Sequence, residues 1–269
     1  MHPAAPLSSP DASVGVARIA LSCLDLTSLN EADSEADIAR MCQRAQGPFG
    51  PVAAVCVWPR LAAFARRQLP AYIRVAAVAN FPDGGADLPR IGREVDAIVQ
   101  AGAQEVDLVL PYAKLLAGDI QTVVQALQLA RAACSGLVLK VILETGELRR
   151  PALITQASRL ALDAGADFLK TSTGKTATSA TPQAARCMLA AIAAHANARG
   201  HAGFKASGGI RSVADAATYI ALCGETLGPQ SVGPGRLRIG ASSLLDDIEA
   251  VLAGAAPGAT GAPGAAGGY

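Results

Sequence analysis

Short apolar runs alternate along this chain with longer segments in which apolar residues recur every three or four positions. Short continuous runs are typical of strands buried on both faces, and the longer spacing is typical of amphipathic helices. The alternation begins after the Pro-, Ala- and Ser-rich residues 1–13, which we expect to form a flexible leader. It ends near residue 254, and the Gly-, Ala- and Pro-rich residues 255–269 predict a flexible tail.

The apolar runs predict eight strands, and a helical pattern follows each of them. The strands are expected at residues 16–25, 52–58, 73–81, 105–112, 137–145, 166–171, 203–207 and 237–242. The first helical pattern ends at about residue 46. The others cover residues 59–69, 88–102, 119–134, 146–165, 181–199, 212–224 and 244–254. Two patterns carry boundary residues, because Pro59 suits a first helical turn and Gly102 suits a helix end.

Eight strands that alternate with eight helices predict an α/β protein with a parallel sheet and right-handed crossovers. The number of repeats and the length of residues 14–254 favour closure of this sheet into a (β/α)8 TIM barrel. An open doubly wound sheet is the alternative. That sheet would lead us to expect a GxGxxG motif after the first strand, and the sequence has none there.

The composition narrows the range of functions. Apolar residues make up 51% of the 269 residues, which is enough for a large core, and a net charge of +1 provides no basic surface for nucleic acid. Charged residues or proline interrupt every apolar run before the roughly 20 residues that a membrane helix needs, and the N-terminus lacks a signal-peptide pattern. We therefore expect a soluble cytoplasmic protein that binds neither nucleic acid nor membrane.

The six cysteines are scattered singly and show neither a CxxC motif nor metal-ligand spacing. Most of them lie within apolar patterns, which favours reduced thiols with a packing role over disulfides or a zinc site. We expect neither a metal nor a cofactor. The cysteines are Cys23, Cys42, Cys56, Cys134, Cys187 and Cys223.

Lysine is scarce in this chain, and three lysines stand near Gly, Ser or Thr at predicted strand ends: Lys170, Lys175 and Lys205. A lysine amine can lose its proton and act as a nucleophile, whereas a guanidinium cannot. A single lysine at a strand end is more often an ordinary solvated residue at the barrel rim. The convergence of several such residues on one cavity would favour the chemical interpretation.

The alternation of side chains along a strand predicts that Asp107, Lys170 and Lys205 point into the barrel, near the strand ends where barrel enzymes have their sites. Two neighbouring ammonium groups repel each other, so the pKa of at least one of them falls toward neutrality. A neutral lysine attacks carbonyl groups to give a Schiff base, and Asp107 can relay protons in that reaction. The sequence therefore predicts a Schiff-base site.

Two further patterns support such a site. Lys140 and Glu144 lie four residues apart on the inward face of the fifth predicted strand, and we expect them to be structural ion-pair partners for the same cluster. The small residues at 207–209 and 240–243 bring backbone N–H groups and hydroxyls to two predicted helix starts, where a phosphate dianion is favoured.

Six ordered motifs, spread over about residues 20–254, resemble those of the deoxyribose-phosphate aldolases, which are class I, Schiff-base aldolases. In that family the enzyme cleaves 2-deoxy-D-ribose 5-phosphate reversibly to acetaldehyde and D-glyceraldehyde 3-phosphate, without a metal, in deoxyribose phosphate catabolism. The motifs are VANFPDGG, EVDLVLPY, LKVILETGEL, GADFLKTSTGK, GFKASGGIRS and RIGASSLL.

The resemblance implies roles for individual residues. It implies that Lys170 is the Schiff-base lysine, that Lys205 tunes its amine and that Asp107 is the proton-relay acid. Tyr269 matches a terminal tyrosine whose mobile tail reaches the site in some members, and a homodimer is expected on the same basis. The predicted substrate- and phosphate-binding residues are Asp25, Thr171, Gly174, Lys175, Gly208, Gly209, Ser242 and Ser243.

The sequence leaves two other functions open. Another Schiff-base aldolase or a transaldolase would share the barrel and the lysine, and the pair of motifs LKTSTGK and GFK argues against that alternative. A non-catalytic barrel that binds sugar phosphates would not need Lys205 and Asp107 beside Lys170.

Overall fold

Eight parallel strands close into a barrel in the computed structural model, which describes residues 10–258. The strands are β1 Leu24–Thr27, β2 Ala54–Val57, β3 Arg74–Ala79, β4 Glu105–Val109, β5 Val138–Ile142, β6 Phe168–Lys170, β7 Gly203–Ser207 and β8 Leu237–Ala241. Each strand pairs with its neighbours in sequence order, and β8 pairs with β1. The predicted (β/α)8 barrel is confirmed, and the open-sheet alternative is wrong.

Helices surround the barrel and connect its strands. They are α1 Pro10–Ser22, α2 Glu35–Arg44, α3 Pro59–Gln68, α4 Leu88–Gln100, α5 Tyr112–Leu116, α6 Ile120–Ala133, α7 Thr145–Leu148, α8 Pro151–Asp163, α9 Pro182–Ala194, α10 Val213–Leu227 and α11 Leu244–Leu252. The short helix α5, after β4, was not predicted, and the single helical pattern predicted at residues 146–165 is divided into α7 and α8. Within residues 10–258, no helix is both long enough and apolar enough to cross a membrane.

The first predicted strand is wrong over most of its length. Residues 16–22 belong to α1, and β1 is confined to Leu24–Thr27. Helix α1 also begins inside the predicted leader, at Pro10. The helix packs against α10 and α11, and its buried residues recur at helical spacing even though the run contains β-branched residues. These buried residues are Ser13, Ala17, Ala20 and Leu21.

The barrel interior has an apolar side and a charged side. The apolar side forms a cluster near the carboxyl ends of β2 to β5, made of Leu29, Cys56, Ala76, Val78, Phe81, Val109 and Ile142. Charged residues project inward from β1 and from β4 to β8, and all of them are buried. The charged groups of the interior therefore lie together, apart from the apolar cluster.

Gly203 of β7 leaves room for the ring of Phe168 inside the barrel. A Cβ atom at position 203 would lie 2.3 Å from Cε1 of Phe168 and 2.8 Å from the backbone oxygen of Arg236. Because neither group is free to move away, we expect Gly203→Ala to lower the free energy of unfolding by about 1–3 kcal/mol in urea denaturation.

Gly15→Ala is the matched control for that substitution. A Cβ atom at position 15, within α1, would meet no atom within 4 Å, so the change should raise the free energy of unfolding by up to about 1 kcal/mol. An unfolding free energy for Gly203→Ala equal to that of the native protein would contradict the packing argument.

Candidate active site

Seven buried charged side chains form one network inside the barrel, which we call the ion cluster. It consists of Asp25, Glu105, Asp107, Lys140, Lys170, Lys205 and Arg238. No member has more than 6% of its surface exposed. Charges this deep are tolerated only when they are paired and hydrogen-bonded, so the contacts within the cluster decide its chemistry.

Asp107 lies at the centre of the ion cluster and contacts all three lysines. Its Oδ2 accepts hydrogen bonds from Nζ of Lys170 at 2.9 Å and from Nζ of Lys205 at 2.8 Å. Its Oδ1 accepts a hydrogen bond from Nζ of Lys140 at 2.7 Å. The structure thus brings Asp107, Lys170 and Lys205 together, as the alternation along the strands predicts.

The remaining contacts close a ring of alternating charge. Asp25 accepts from Lys205 at 2.5 Å and from Nη1 of Arg238 at 2.7 Å. Arg238 also contacts both carboxylate oxygens of Glu105, at 2.8 and 3.1 Å. Oε2 of Glu105 lies 2.5 Å from Nζ of Lys140, which returns to Asp107. Three carboxylates and three cations therefore alternate around the ring.

Lys170 lies outside this ring. Among the residues that the structure describes, Asp107 is its only ion-pair partner, whereas Lys140 and Lys205 each contact at least two carboxylates. The ring is already neutral, so a proton on Lys170 would leave the buried cluster with an unbalanced positive charge. Electrostatics thus favour the neutral amine at Lys170 and the ammonium form at the other two lysines.

The pKa values follow the same pattern. Burial lowers the pKa of Lys170 below its ordinary value, and neighbouring Lys205 lowers it further, although Asp107 partly opposes both effects. Burial also disfavours a charged Lys205, but Asp107 and Asp25 outweigh burial and hold the pKa of Lys205 well above its usual range. Of the three lysines in the ion cluster, Lys170 is therefore the one most easily deprotonated.

Asp107 is ionised in this arrangement. Burial would raise the pKa of its carboxyl group, but Lys140, Lys170 and Lys205 together hold that pKa well below the ordinary value. An ionised carboxylate can accept a proton but has none to give. In the free protein, Asp107 thus begins as a proton acceptor, and Lys205 holds the proton.

Cys56 belongs to the apolar cluster of the barrel interior and also contacts the ion cluster. Its Sγ lies 3.8 Å from Oδ2 of Asp107, and burial and the carboxylate of Asp107 raise the pKa of the thiol to about 11. The thiol is therefore neutral at physiological pH. All six cysteines are free, in agreement with the predicted reduced thiols.

Glu144 is not in the ion cluster, and its predicted pairing with Lys140 is wrong. Strand β5 ends at Ile142, so the inward alternation does not extend to Glu144, whose backbone is left-handed with φ 54°. Its carboxylate instead accepts hydrogen bonds from Thr173 and Thr176. The prediction for Lys140 holds, because its ammonium group contacts three carboxylates of the cluster.

The predicted phosphate-binding glycines lie in two adjacent loops at the carboxyl ends of β6 and β7. Gly174, Gly208 and Gly209 have positive φ values of 82°, 87° and 80°. A Cβ atom on Gly208 would lie 3.3 Å from Cα of Gly174, so the two loops touch, whereas one on Gly209 would meet no atom within 4 Å. Gly209 therefore borders open space.

The other predicted binding residues occupy different environments. The Thr171 hydroxyl donates to the backbone oxygen of Ser207 and accepts from its N–H group, so it braces β6 against β7. Asp25 is fully buried as a partner of Lys205. Lys175 is exposed in the loop after β6, and Ser242 and Ser243 are exposed between β8 and α11.

Arg238 and Glu105 are cluster members whose importance the sequence interpretation missed. In β8, Arg238 and Gly240 alternate with the apolar residues 237, 239 and 241, so the same parity argument turns Arg238 inward. A single arginine in an otherwise buried strand is the signal that could have identified it.

Comparisons with known proteins identify the family of this chain. The sequence pattern of the DeoC/LacD family aldolases matches residues 19–249. A deoxyribose-phosphate aldolase of Agrobacterium fabrum (strain C58) is 46% identical over 244 residues, which are 90% of this chain and 93% of that protein.

Solved structures show the same architecture. A tetrameric deoxyribose phosphate aldolase from Aeropyrum pernix is 26% identical, with a TM-score of 0.67, over 91% of this chain and 92% of that one. A crystal structure from Toxoplasma gondii is 23% identical and shares the fold, with a TM-score of 0.83 over 91% of this chain and 97% of that one. The chain belongs to the DeoC/LacD family of aldolases.

Proposed function

We propose that this protein cleaves 2-deoxy-D-ribose 5-phosphate reversibly to D-glyceraldehyde 3-phosphate and acetaldehyde, through a Schiff base on Lys170, in deoxyribose phosphate catabolism. The observation that carries the proposal is the position of Lys170, a buried amine attached to a ring of ions that is neutral without it. The Agrobacterium fabrum relative, named a deoxyribose-phosphate aldolase, supports the choice of substrate.

The first chemical step uses the neutral amine. The lone pair of Lys170 Nζ attacks the aldehyde carbon C1 of the open-chain sugar to give a carbinolamine, which loses water to form a protonated imine. The proton that the nitrogen releases has an acceptor in Asp107, whose Oδ2 lies 2.9 Å away. Lys205 shares that oxygen and can return a proton to the departing hydroxyl group.

Carbon–carbon cleavage follows from the imine. The C3 hydroxyl gives its proton to the relay of Asp107 and Lys205, and the C2–C3 bond breaks. D-Glyceraldehyde 3-phosphate leaves, and the electron pair of the broken bond moves into an enamine. A proton then adds to C2, and hydrolysis releases acetaldehyde and restores the amine. Formation of the protonated imine from the neutral amine takes up one proton from solvent in addition to the one that passes from the nitrogen to the oxygen. Hydrolysis of the imine releases that proton again, so the ring has the same charge at the end of the cycle as at the start.

Borohydride trapping tests the proposed function directly. Acetaldehyde and borohydride should add one reduced ethyl group to the protein, and mass mapping should find that group on Lys170. Release of acetaldehyde from 2-deoxyribose 5-phosphate, followed with an alcohol dehydrogenase, should show turnover by the same preparation. Modification at a different lysine would refute the mechanism, and trapping without turnover would refute the substrate.

The C-terminal tyrosine gives a separate prediction. Tyr269 lies outside the described residues, but the last described residue, Gly258, donates its N–H to Asp247, which also accepts from Val213 N–H at the start of α10. Gly258 thus lies near the start of α10, which follows β7, and it is eleven residues from Tyr269 in the sequence. We propose that the phenol of Tyr269 relays the proton at C2.

We expect Tyr269→Phe to slow deuterium exchange into acetaldehyde far more than it slows borohydride trapping. Exchange reports proton transfer at C2, whereas trapping reports imine formation, so the pair of measurements separates the two steps. Tyr72→Phe, an exposed tyrosine between α3 and β3, is the control. The same exchange rate in Tyr269→Phe and the native protein would mean that the tyrosine has no part in the reaction.

A homodimer and a cytoplasmic location belong to the same proposal. The Aeropyrum pernix relative is a tetramer, so the assembly of this chain must be measured. Light scattering coupled to size-exclusion chromatography distinguishes a dimer from a monomer or a tetramer.

A further inference from the structure

Glu144 is a buried carboxylate that the proposed reaction does not use. It follows β5 by two residues and is fully buried. Its φ of 54° is uncommon for a residue other than glycine, and such strained conformations persist only where surrounding contacts enforce them. Burial raises the pKa of its carboxyl group, and the hydrogen bonds from Thr173 and Thr176 and the charge of Lys170 partly oppose that rise. Within residues 10–258, no lysine or arginine lies close enough to form an ion pair with it.

Among the described residues, the hydrogen bonds of the Glu144 carboxylate all lead to one segment, residues 171–181, which we call the Lys170 loop. Its Oε2 accepts from Oγ1 of Thr173 at 2.5 Å and from the backbone N–H of Thr173 at 3.2 Å. Its Oε1 lies 3.2 Å from Oγ1 of Thr176, whose single hydroxyl proton is shared with the backbone oxygen of Thr178, also at 3.2 Å. The two threonines flank Gly174 and Lys175, so the carboxylate holds the loop on both sides of these residues.

Thr173 connects the carboxylate of Glu144 to the backbone of Lys175 through two hydrogen bonds. Its Oγ1 donates to Glu144 and at the same time accepts from the N–H of Lys175 at 3.0 Å. The hydrogen of the hydroxyl group is thereby committed to Glu144, which leaves the oxygen lone pairs for Lys175. The direction of the peptide between Gly174 and Lys175 therefore depends on the carboxylate of Glu144.

The short helix α7 presses on the same loop. The N–H of Thr145 donates to the backbone oxygen of Thr171 at 3.0 Å. A Cβ atom on Gly146 would lie 2.0 Å from the backbone oxygen of Thr178, so no side chain fits between α7 and the loop. Glu144 and Arg149, at the two ends of α7, both have positive φ values, and this strain is located beside the loop rather than elsewhere in β5 or α8.

We propose that Glu144 is a positioning residue that holds Gly174 and Lys175 in the conformation that receives the phosphate group of the substrate. The inference rests on the proposed function, because it assigns the phosphate to the Lys170 loop. It separates two halves of the site. The ion cluster, on the strands, keeps the amine of Lys170 neutral. The phosphate half of the site, Gly174 and Lys175, lies on a loop whose conformation Glu144 maintains.

The test compares two sugars that differ only in the phosphate group. We expect Glu144→Ala to raise the KM for 2-deoxyribose 5-phosphate by about tenfold or more, since a lost hydrogen bond to a charged group has an effect of this size. The KM for unphosphorylated 2-deoxyribose and the rate of borohydride trapping with acetaldehyde should change less than about twofold, because neither needs the phosphate half of the site.

Two further substitutions show whether a general loss of folding, rather than the loss of these hydrogen bonds, causes the change in KM. Glu144→Gln keeps an oxygen that can accept from Thr173, so it should restore most of the affinity for the phosphorylated sugar. Thr176→Val removes one of the three hydrogen bonds from the side of the loop and should give the same selective rise in KM, to a smaller extent. Glu147→Gln is the matched control, because Glu147 lies on α7 but contributes no hydrogen bond to the loop among the described residues.

The outcomes separate this inference from the proposed function. Equal effects of Glu144→Ala on the two sugars, or no effect on either, would overturn the positioning role while the native protein still cleaves the phosphorylated sugar. A native protein that does not prefer the phosphorylated sugar would overturn the phosphate assignment and this inference with it. Loss of borohydride trapping in Glu144→Ala would show that Glu144 acts on the amine instead.

Discussion

Lys170→Arg should lower kcat/KM for 2-deoxyribose 5-phosphate by about 10⁴-fold or more, because removal of a covalent nucleophile has effects of this order. A guanidinium group keeps a positive charge beside Asp107 but cannot form an imine. Borohydride should then trap no acetaldehyde at position 170. Circular dichroism should show that the barrel remains folded, with a lower urea midpoint, because arginine still contacts Asp107 but adds a positive charge that the neutral ring does not balance.

The matched control is Lys114→Arg. Lys114 is exposed on α5, 3.6 Å from Asp119, so its substitution should leave both turnover and trapping unchanged. Substantial turnover by a folded Lys170→Arg protein would exclude the Schiff base at this residue. Trapping that persists in Lys170→Arg would identify another lysine as the nucleophile.

Lys205→Leu should lower kcat/KM at pH 7 by about 10²–10³-fold. The increase of kcat/KM with pH should also occur at a higher pH than in the native protein. The native ring contains three carboxylates and three cations, so Lys170 is most stable as a neutral amine. Without Lys205 the ring has one cation fewer, and an ammonium group on Lys170 supplies the missing charge. The pKa of Lys170 therefore rises in the variant.

The sign of the pH effect follows from which form of the amine reacts. Only the neutral amine attacks the aldehyde, so activity falls as the pH drops through the pKa of Lys170. Burial and the nearby Lys205 lower that pKa in the native protein, which extends activity toward neutral pH. A higher pKa in Lys205→Leu moves the same loss of activity to higher pH.

The pH dependence of kcat/KM reports ionisations of the free enzyme and is the measurement to use. Lys205→Arg keeps the charge in the ring, so its profile should shift less than that of Lys205→Leu even if proton relay is impaired. An unchanged profile in Lys205→Leu, together with lower activity, would mean that Lys205 does not set the pKa of Lys170. A shift to lower pH would contradict the charge balance of the ion cluster.

The ion cluster also determines how substitutions of Lys170 and Lys205 affect the stability of the barrel. Removal of one partner from a buried pair leaves an uncompensated charge, which usually costs more than the pair contributes. Asp107 has three cationic contacts, so it keeps two of them in Lys205→Leu and can keep all three in Lys170→Arg. Because Asp107 retains partners in both variants, we expect both to fold, so their kinetic effects can be measured.

The sequence by itself determines the repeat of strand and helix, and with it the class of fold. Burial of a parallel strand on both faces requires a short apolar run, and the covering helix requires a period of 3.6 residues, so both signals are local. The alternation of side chains is local as well. It was sufficient to turn Asp107, Lys170 and Lys205 inward.

Local patterns were insufficient where neighbours decide the conformation. The run at residues 16–22 has strand-like composition but is helical, because α10 and α11 offer a surface that fits its apolar face. Glu144 departs from the alternation of β5 because its carboxylate bonds to Thr173 in the next loop. No spacing within β5 reveals such a partner.

Only the tertiary structure decided how the charged residues are shared. Parity predicts that a side chain points into a barrel, but the register between strands and the closure of β8 onto β1 determine which side chains meet across it. That closure brings Arg238 to Asp25 and Glu105 and completes a neutral ring around Asp107. The sequence thus predicted a reactive lysine, whereas the closed barrel determined that Lys170 is the one left outside the ring.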